Sequence, residues 1–171
     1  IETPDAHVWK LPVSELKTRL AYANRQLLFR HLNGNIFGSP ISGDISLRFP
    51  TSKDFELDIK AQGNNLDLAE WHNIASGLSS VTGKIDSISM DIKGPIGKWR
   101  GDVDLFAAKL IYDKKYTIND TKGKIALHGE APMDVLFLGK LYGGTYEAGG
   151  IFHSTGDAFH LPLSISRLNL E

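Results

Sequence analysis

The sequence predicts a mainly β, antiparallel fold with one short helix. Three observations predict it. Apolar and polar residues alternate with period two along most of the chain, as they do in strands with one apolar and one wet face. The alternating runs are separated by spacers rich in Gly, Pro, Asn, Asp and Ser, the residues that turns require. A single segment changes to helical spacing.

Taken in order, "AHVWKLPV", "LKTRLAYA" and "RQLLFRHLNGNIFG" read as the first strands. Asn33-Gly34 in the third is either a tight-turn pair or a bulge within a longer strand. In "ISGDISLRF", Ile41, Gly43, Ile45, Leu47 and Phe49 fall on one face, and Ser42, Asp44, Ser46 and Arg48 on the other. "FELDIKA" repeats this with Phe55, Leu57, Ile59 and Ala61 against Glu56, Asp58 and Lys60. The spacer "PTSKD" joins the two as a hairpin.

The exception is "LDLAEWHNIASGL". Leu68, Trp71, Ile74, Ala75 and Leu78 have helical spacing, so a helix is predicted over 67–76. Asp67 caps its start, Glu70 completes a capping box, Leu66 sits at the staple position, and Gly77 fits the stop. Trp71 is expected to pack against an end or an open face of the sheet. Alternation then resumes in "SISMDIK" (Ile88, Met90, Ile92), "WRGDVDLFA" (Trp99, Val103, Leu105) and "TKGKIALHG" (Ile125, Leu127). It continues in "MDVLFLGKLYGG", "TYEAGGIFHS" and "AFHLPLSISRLNL", for about a dozen strands in all.

Composition narrows the classes. With 171 residues, 42% hydrophobic and 23% charged, residues 1–171 form one β-rich domain with its own core rather than a disordered chain. Nineteen Lys and Arg against 20 Asp and Glu leave a net charge of -1, without the basic bias that nucleic acid requires. The absence of Cys excludes disulfides, thiolate catalysis and Cys-based zinc sites. No run approaches the ~20 apolar residues that span a bilayer, and no signal peptide is visible. The chain opens on "IETPDAH" without an initiating Met and reads as a piece of a longer protein, with targeting signals or an anchor expected outside it.

Reactive constellations do not emerge. The six histidines, His7, His31, His72, His128, His153 and His160, form no metal-type spacing and read as surface or strand residues. "YGGTYEAGG" lacks the G-K-[ST] ending of a phosphate loop and has no helix after it, so its glycines read as bulges or close backbone approaches. Asp86, Asp91, Asp102 and Asp104 fall on the polar side of their strands, as a solvated face would. No catalytic group, metal or cofactor is therefore assigned. Trp9, Trp71, Trp99, Tyr112, Tyr116, Tyr142 and Tyr146 are either core and edge plugs or a platform for stacking sugars.

Three stretches share a cadence. "LNGNIFGSPISGDISLRFP" and "FLGKLYGGTYEAGGIFHST" each carry a Gly, an aromatic-Gly pair (Phe37-Gly38, Tyr142-Gly143), another Gly and an alternating strand. "VTGKIDSISMDIKGPIGKWRGDVDLFAAKL" is a looser relative. With "NDTKGKIALHG" and the "LYGG-x-Y-x-x-G" closure, residues 34–171 resemble the AsmA-like superfamily of Gram-negative envelope proteins. The resemblance implies an elongated, curled antiparallel sheet with a taco-like section and an apolar groove. It implies a periplasmic place, with an inner-membrane anchor outside this chain. It implies a non-enzymatic role in moving phospholipid between the two membranes and keeping the outer membrane intact. The expected partners are lipid acyl chains, neighbouring β modules of the same chain and an outer-membrane protein.

In such a groove the period-2 apolar residues would line the inside: Ile45, Leu47, Phe49, Leu57, Ile59, Ile88, Met90, Ile92, Val103, Leu105, Ile125, Leu127, Val135 and Phe137. Each methylene removed from water contributes about 0.8 kcal/mol, so acyl chains bind without a specific polar contact. The same residues would equally fill the closed core of a β-sandwich interaction module that binds protein or glycan. Alternation alone does not say whether the apolar face is covered by curling, by a second sheet or by a ligand.

Overall fold

The computed structural model describes residues 2–8, 11–50, 55–71, 80–95, 97–152 and 163–166. The alternating runs form strands β1 (Glu2–Val8), β2 (Leu11–Ala23), β3 (Gln26–Ile36), β4 (Ser39–Arg48) and β5 (Glu56–Asp67), then β6 (Val81–Pro95) and β7 (Arg100–Tyr112). The remaining strands are β8 (Tyr116–His128), β9 (Ala131–Leu141), β10 (Gly144–Phe152) and β11 (Leu163–Ser166). Each strand pairs antiparallel with its neighbours in sequence, giving one eleven-stranded meander in the order β1 to β11. The sheet does not close into a barrel, because β1 and β11 remain its two edges.

The expected helix begins where the sequence places it. Helix α1 (Leu68–Trp71) starts behind Asp67, whose Oδ1 accepts the Ala69 N–H at 3.0 Å, as an N-cap should. The rest of the expected 67–76 span lies outside the described residues. The Trp71 ring packs on Phe37, 5.5 Å between centroids, so α1 sits at the strand end where β3 turns into β4. The "PTSKD" hairpin joins β4 to β5 as expected, with its residues 51–54 outside the described set.

Two hairpins use the aromatic-Gly pairs as two-residue turns. Phe37 and Gly38 have φ of 50° and 73°, and Tyr142 and Gly143 have 49° and 72°. Positive φ at both central residues matches the right-handed twist of the flanking strands. It strains a residue that has a Cβ by about 1–2 kcal/mol. Ring contacts offset that strain: Phe37 packs on Trp71, and Tyr142 meets Tyr116 edge-on at 6.3 Å. Asn33-Gly34 makes no turn and lies inside β3, directly after a bulge.

Bulges recur along the sheet. Glu15 in β2, His31 in β3, Asn65 in β5 and Asp120 in β8 have φ of 53°, 51°, 55° and 51°. The pairing register slips at Phe29/Leu32 and at Asn119/Lys122. A bulge bends its strand and sharpens the local twist. It also leaves a backbone N–H without its ladder partner. The Asp44 carboxylate accepts that of His31 at 2.7 Å, and the Asp86 carboxylate accepts that of Ala108 at 2.5 Å. Asp86 thus clamps a backbone N–H from its exposed place on the polar side of β6.

Candidate functional site

The pairing register carries the apolar residues across the strands in rows. One row runs Ile41–Gly63–Ile88–Leu105–Gly123–Phe137–Ala148. The next runs Gly43–Ala61–Met90–Val103–Ile125–Val135–Gly150. A third holds Phe29, Ile45, Ile59, Ile92, Gly101 and Leu127, and a fourth Leu27, Leu47, Leu57 and Gly94. Thirteen of the fourteen expected lining residues thus stand on one face. Phe49 follows β4 and turns its ring toward Phe55, 6.4 Å between centroids. A row crossing seven strands is about 29 Å long at ~4.8 Å per strand.

The bulges add residues that a strict period of two leaves out. Phe29 and Leu32, Ile85 and Ile88, and Ala107 and Leu110 are three apart, yet each pair shares a face. Ile45 and Gly43, opposite the first pair, stand two apart. The slip between Asn119 and Lys122 brings Ala107 and Leu110 together, and Gly83, opposite Leu110, carries Ile85 to the face of Ile88. A further apolar row, Leu110–Ile118–Leu141, therefore continues the surface toward the β7–β8 and β9–β10 turns.

No second layer covers this face among the described residues. Most of its side chains are only partly buried, and no large side chain among the described residues is less than 2% exposed. Among the described residues, the buried apolar ones are Val13, Leu66, Leu68, Ala107 and Val135. The chain exposes 11691 Å², where a compact monomer of its mass exposes about 8,300 Å². The sandwich expected as the alternative architecture is not what these strands form.

The opposite face is mainly polar and laced with exposed ion pairs, with Leu136, Leu138 and Ile151 standing exposed among them. Lys60 meets Asp91 at 3.1 Å, Lys140 meets Asp120 at 2.7 Å, and Lys124 meets Asp102 at 3.5 Å. The hydrogen bond and charge of Asp91 hold the Lys60 ammonium above its ordinary range. Lys98 does the reverse for Glu130, holding its carboxyl below the usual range. Pairs this exposed add little stability but keep this face wet.

His128 Nε2 lies 2.9 Å from an Asp134 carboxylate oxygen, a pairing that residues six apart in sequence do not advertise. No group of three or more potential metal ligands occurs among the described residues. A depression of about 540 Å³ also lies on this side, above β5 to β9. Phe106, Leu136 and Leu138 line it, with Lys122, Lys124, Asp104 and the serines of β6.

On the apolar face, two features keep polar and bulky groups from breaking the surface. Tyr146 lies across Gly139, where a Cβ would stand 2.5 Å from its ring, and reaches Thr121. Burial pushes the Tyr146 phenol up from its ordinary pKa, against a smaller opposing effect of the Thr121 hydrogen bond. Gly101 has φ of 137°, and a Cβ there would lie 1.8 Å from the Asp91 carbonyl oxygen. The close approach of β6 and β7 therefore requires glycine at this position.

No family model, no curated protein and no solved structure matches this chain. No helix among the described residues is long and apolar enough to cross a membrane.

Proposed function

We propose that this chain is a non-enzymatic, lipid-accommodating segment of an AsmA-like envelope protein, whose apolar sheet face carries phospholipid acyl chains between inner and outer membranes. One observation carries the reading: a continuous apolar face, at least seven strands wide, that nothing in the described chain covers. Half of a ~30 Å hydrocarbon core, the depth of a single acyl chain, is shorter than one ~29 Å row. One extended chain therefore fits along a row. The glycine cadence at 34–49, 81–105 and 139–152 carries the resemblance to AsmA-like proteins, and it is that resemblance which implies a periplasmic place and an anchor outside this chain.

The physics needs no reactive group. Water leaves both the acyl chain and the half-buried Ile, Leu, Val and Phe side chains, and the gain grows with each methylene covered. Site-specific photo-crosslinking from Leu47 or Ile59 in cells tests this. Lipid adducts are expected at both positions. Protein adducts alone would favour the other reading, an interaction module that presents this face to a protein partner.

A further inference from the structure

We propose that the β7–β8 hairpin is a headgroup site that selects anionic phospholipids among the amphiphiles the apolar face accepts. The proposal rests on the acyl-chain reading above and names the lipid class for it. Tyr112, Tyr116 and Tyr142 gather at the end of the Leu110–Ile118–Leu141 row. Tyr112 and Tyr116 stack at 6.4 Å, Tyr142 meets Tyr116 edge-on at 6.3 Å, and the rings stay 47%, 40% and 49% exposed.

Three large aromatic rings held together at the surface occupy the boundary between an apolar face and water. That is where an amphipathic ring with a hydroxyl donor is most favourable. Lys114 and Lys115 stand in the turn between the two stacked tyrosines. Both are exposed, and neither has an ion-pair partner among the described residues. Lys60, Lys98, Lys124 and Lys140, by contrast, are each held by a carboxylate. Asp113 in the same turn gives its N–H to the Ser80 carbonyl and leaves the hairpin tip with one net positive charge.

A lipid whose chains lie along the apolar rows brings its headgroup out at this rim. There a phosphoryl group meets two ammonium groups and the tyrosine hydroxyls, all of them donors. A zwitterionic or uncharged head gains less from the same groups.

The test titrates the folded chain with three short-chain amphiphiles: dioctanoyl phosphatidylglycerol, dioctanoyl phosphatidylcholine and dioctanoylglycerol. Glycerol phosphate serves as the head without chains. Phosphatidylglycerol should bind tightest and glycerol phosphate only weakly. The double variant K114Q/K115Q should lose about thirty-fold in phosphatidylglycerol affinity while holding dioctanoylglycerol unchanged. Y112F/Y116F/Y142F keeps the rings and should lose part of the same preference.

Unchanged phosphatidylglycerol binding in K114Q/K115Q, with dioctanoylglycerol still bound, overturns the headgroup site and leaves the acyl-chain reading standing. Tight binding of glycerol phosphate overturns it too, as an anion site unrelated to lipid. Failure of the native chain to bind any of the three amphiphiles overturns both readings.

Discussion

Tyr146 on β10 passes over Gly139 on β9 and shares a hydrogen bond of 2.9 Å with Thr121 on β8. One side chain thereby ties three strands on the apolar face and hides two hydroxyls that would otherwise interrupt it. Tyr146→Phe should cost about 1 kcal/mol in urea unfolding, because Thr121 then keeps an unmatched hydroxyl. Adding Thr121→Val should cost less than the sum of the two single changes. Additive effects would mean that the bond contributes nothing.

Alkaline pH gives a second test of the same pair. Burial raises the Tyr146 pKa above its ordinary 10.0, so the folded state favours the neutral phenol. The contribution is whole below pH 10.0 and is lost as pH rises past it, because the unfolded chain releases this proton first. The native chain should therefore lose stability more steeply above that pH than Tyr146→Phe does. Parallel stability curves for the two proteins would contradict the burial of this ring.

The two glycines make a ranked prediction. Gly101→Ala places a Cβ 1.8 Å from a backbone oxygen at φ of 137°, and neither can relax without parting β6 from β7. It should cost about 3 kcal/mol or more. Gly139→Ala meets only the edge of the Tyr146 ring, which can swing away, and should cost about 1–2 kcal/mol. Chemical denaturation checks the order, and equal losses would contradict it.

Strand identity and the apolar face were legible because the period of two is strong in β4, β5 and β6. Pairing alone then brings Ile45 beside Ile59 and Ile59 beside Ile92. The bulges were not legible. Asp120 and His31 are ordinary polar residues in sequence, and only the register shows that they reset which residues face inward. Hence Ile85, Leu110 and Ile118 escaped the expected lining set. The cap of α1 was readable from Asp67, because capping is a local bond between residues two apart. Whether a second layer covers the face depends on contacts that alternation does not encode.

An uncovered face predicts mild packing losses. Ile59→Ala should cost about 1 kcal/mol, because the side chain is only partly buried. A sealed core would lose about 2–5 kcal/mol for the same change. Urea midpoints at constant slope would read the difference.

The central claim concerns one face against the other, and neighbouring residues test it. The chain has no native Cys, so Ile59→Cys and Lys60→Cys each offer a single thiol, on the apolar and polar faces respectively. The measurement is the labelling rate of each folded variant with a thiol reagent, with and without phospholipid. Both thiols should label without lipid, and phospholipid should slow only the Ile59→Cys variant. A thiol at 59 that resists labelling in the absence of lipid, or equal protection at 59 and 60, would contradict an apolar face open to acyl chains.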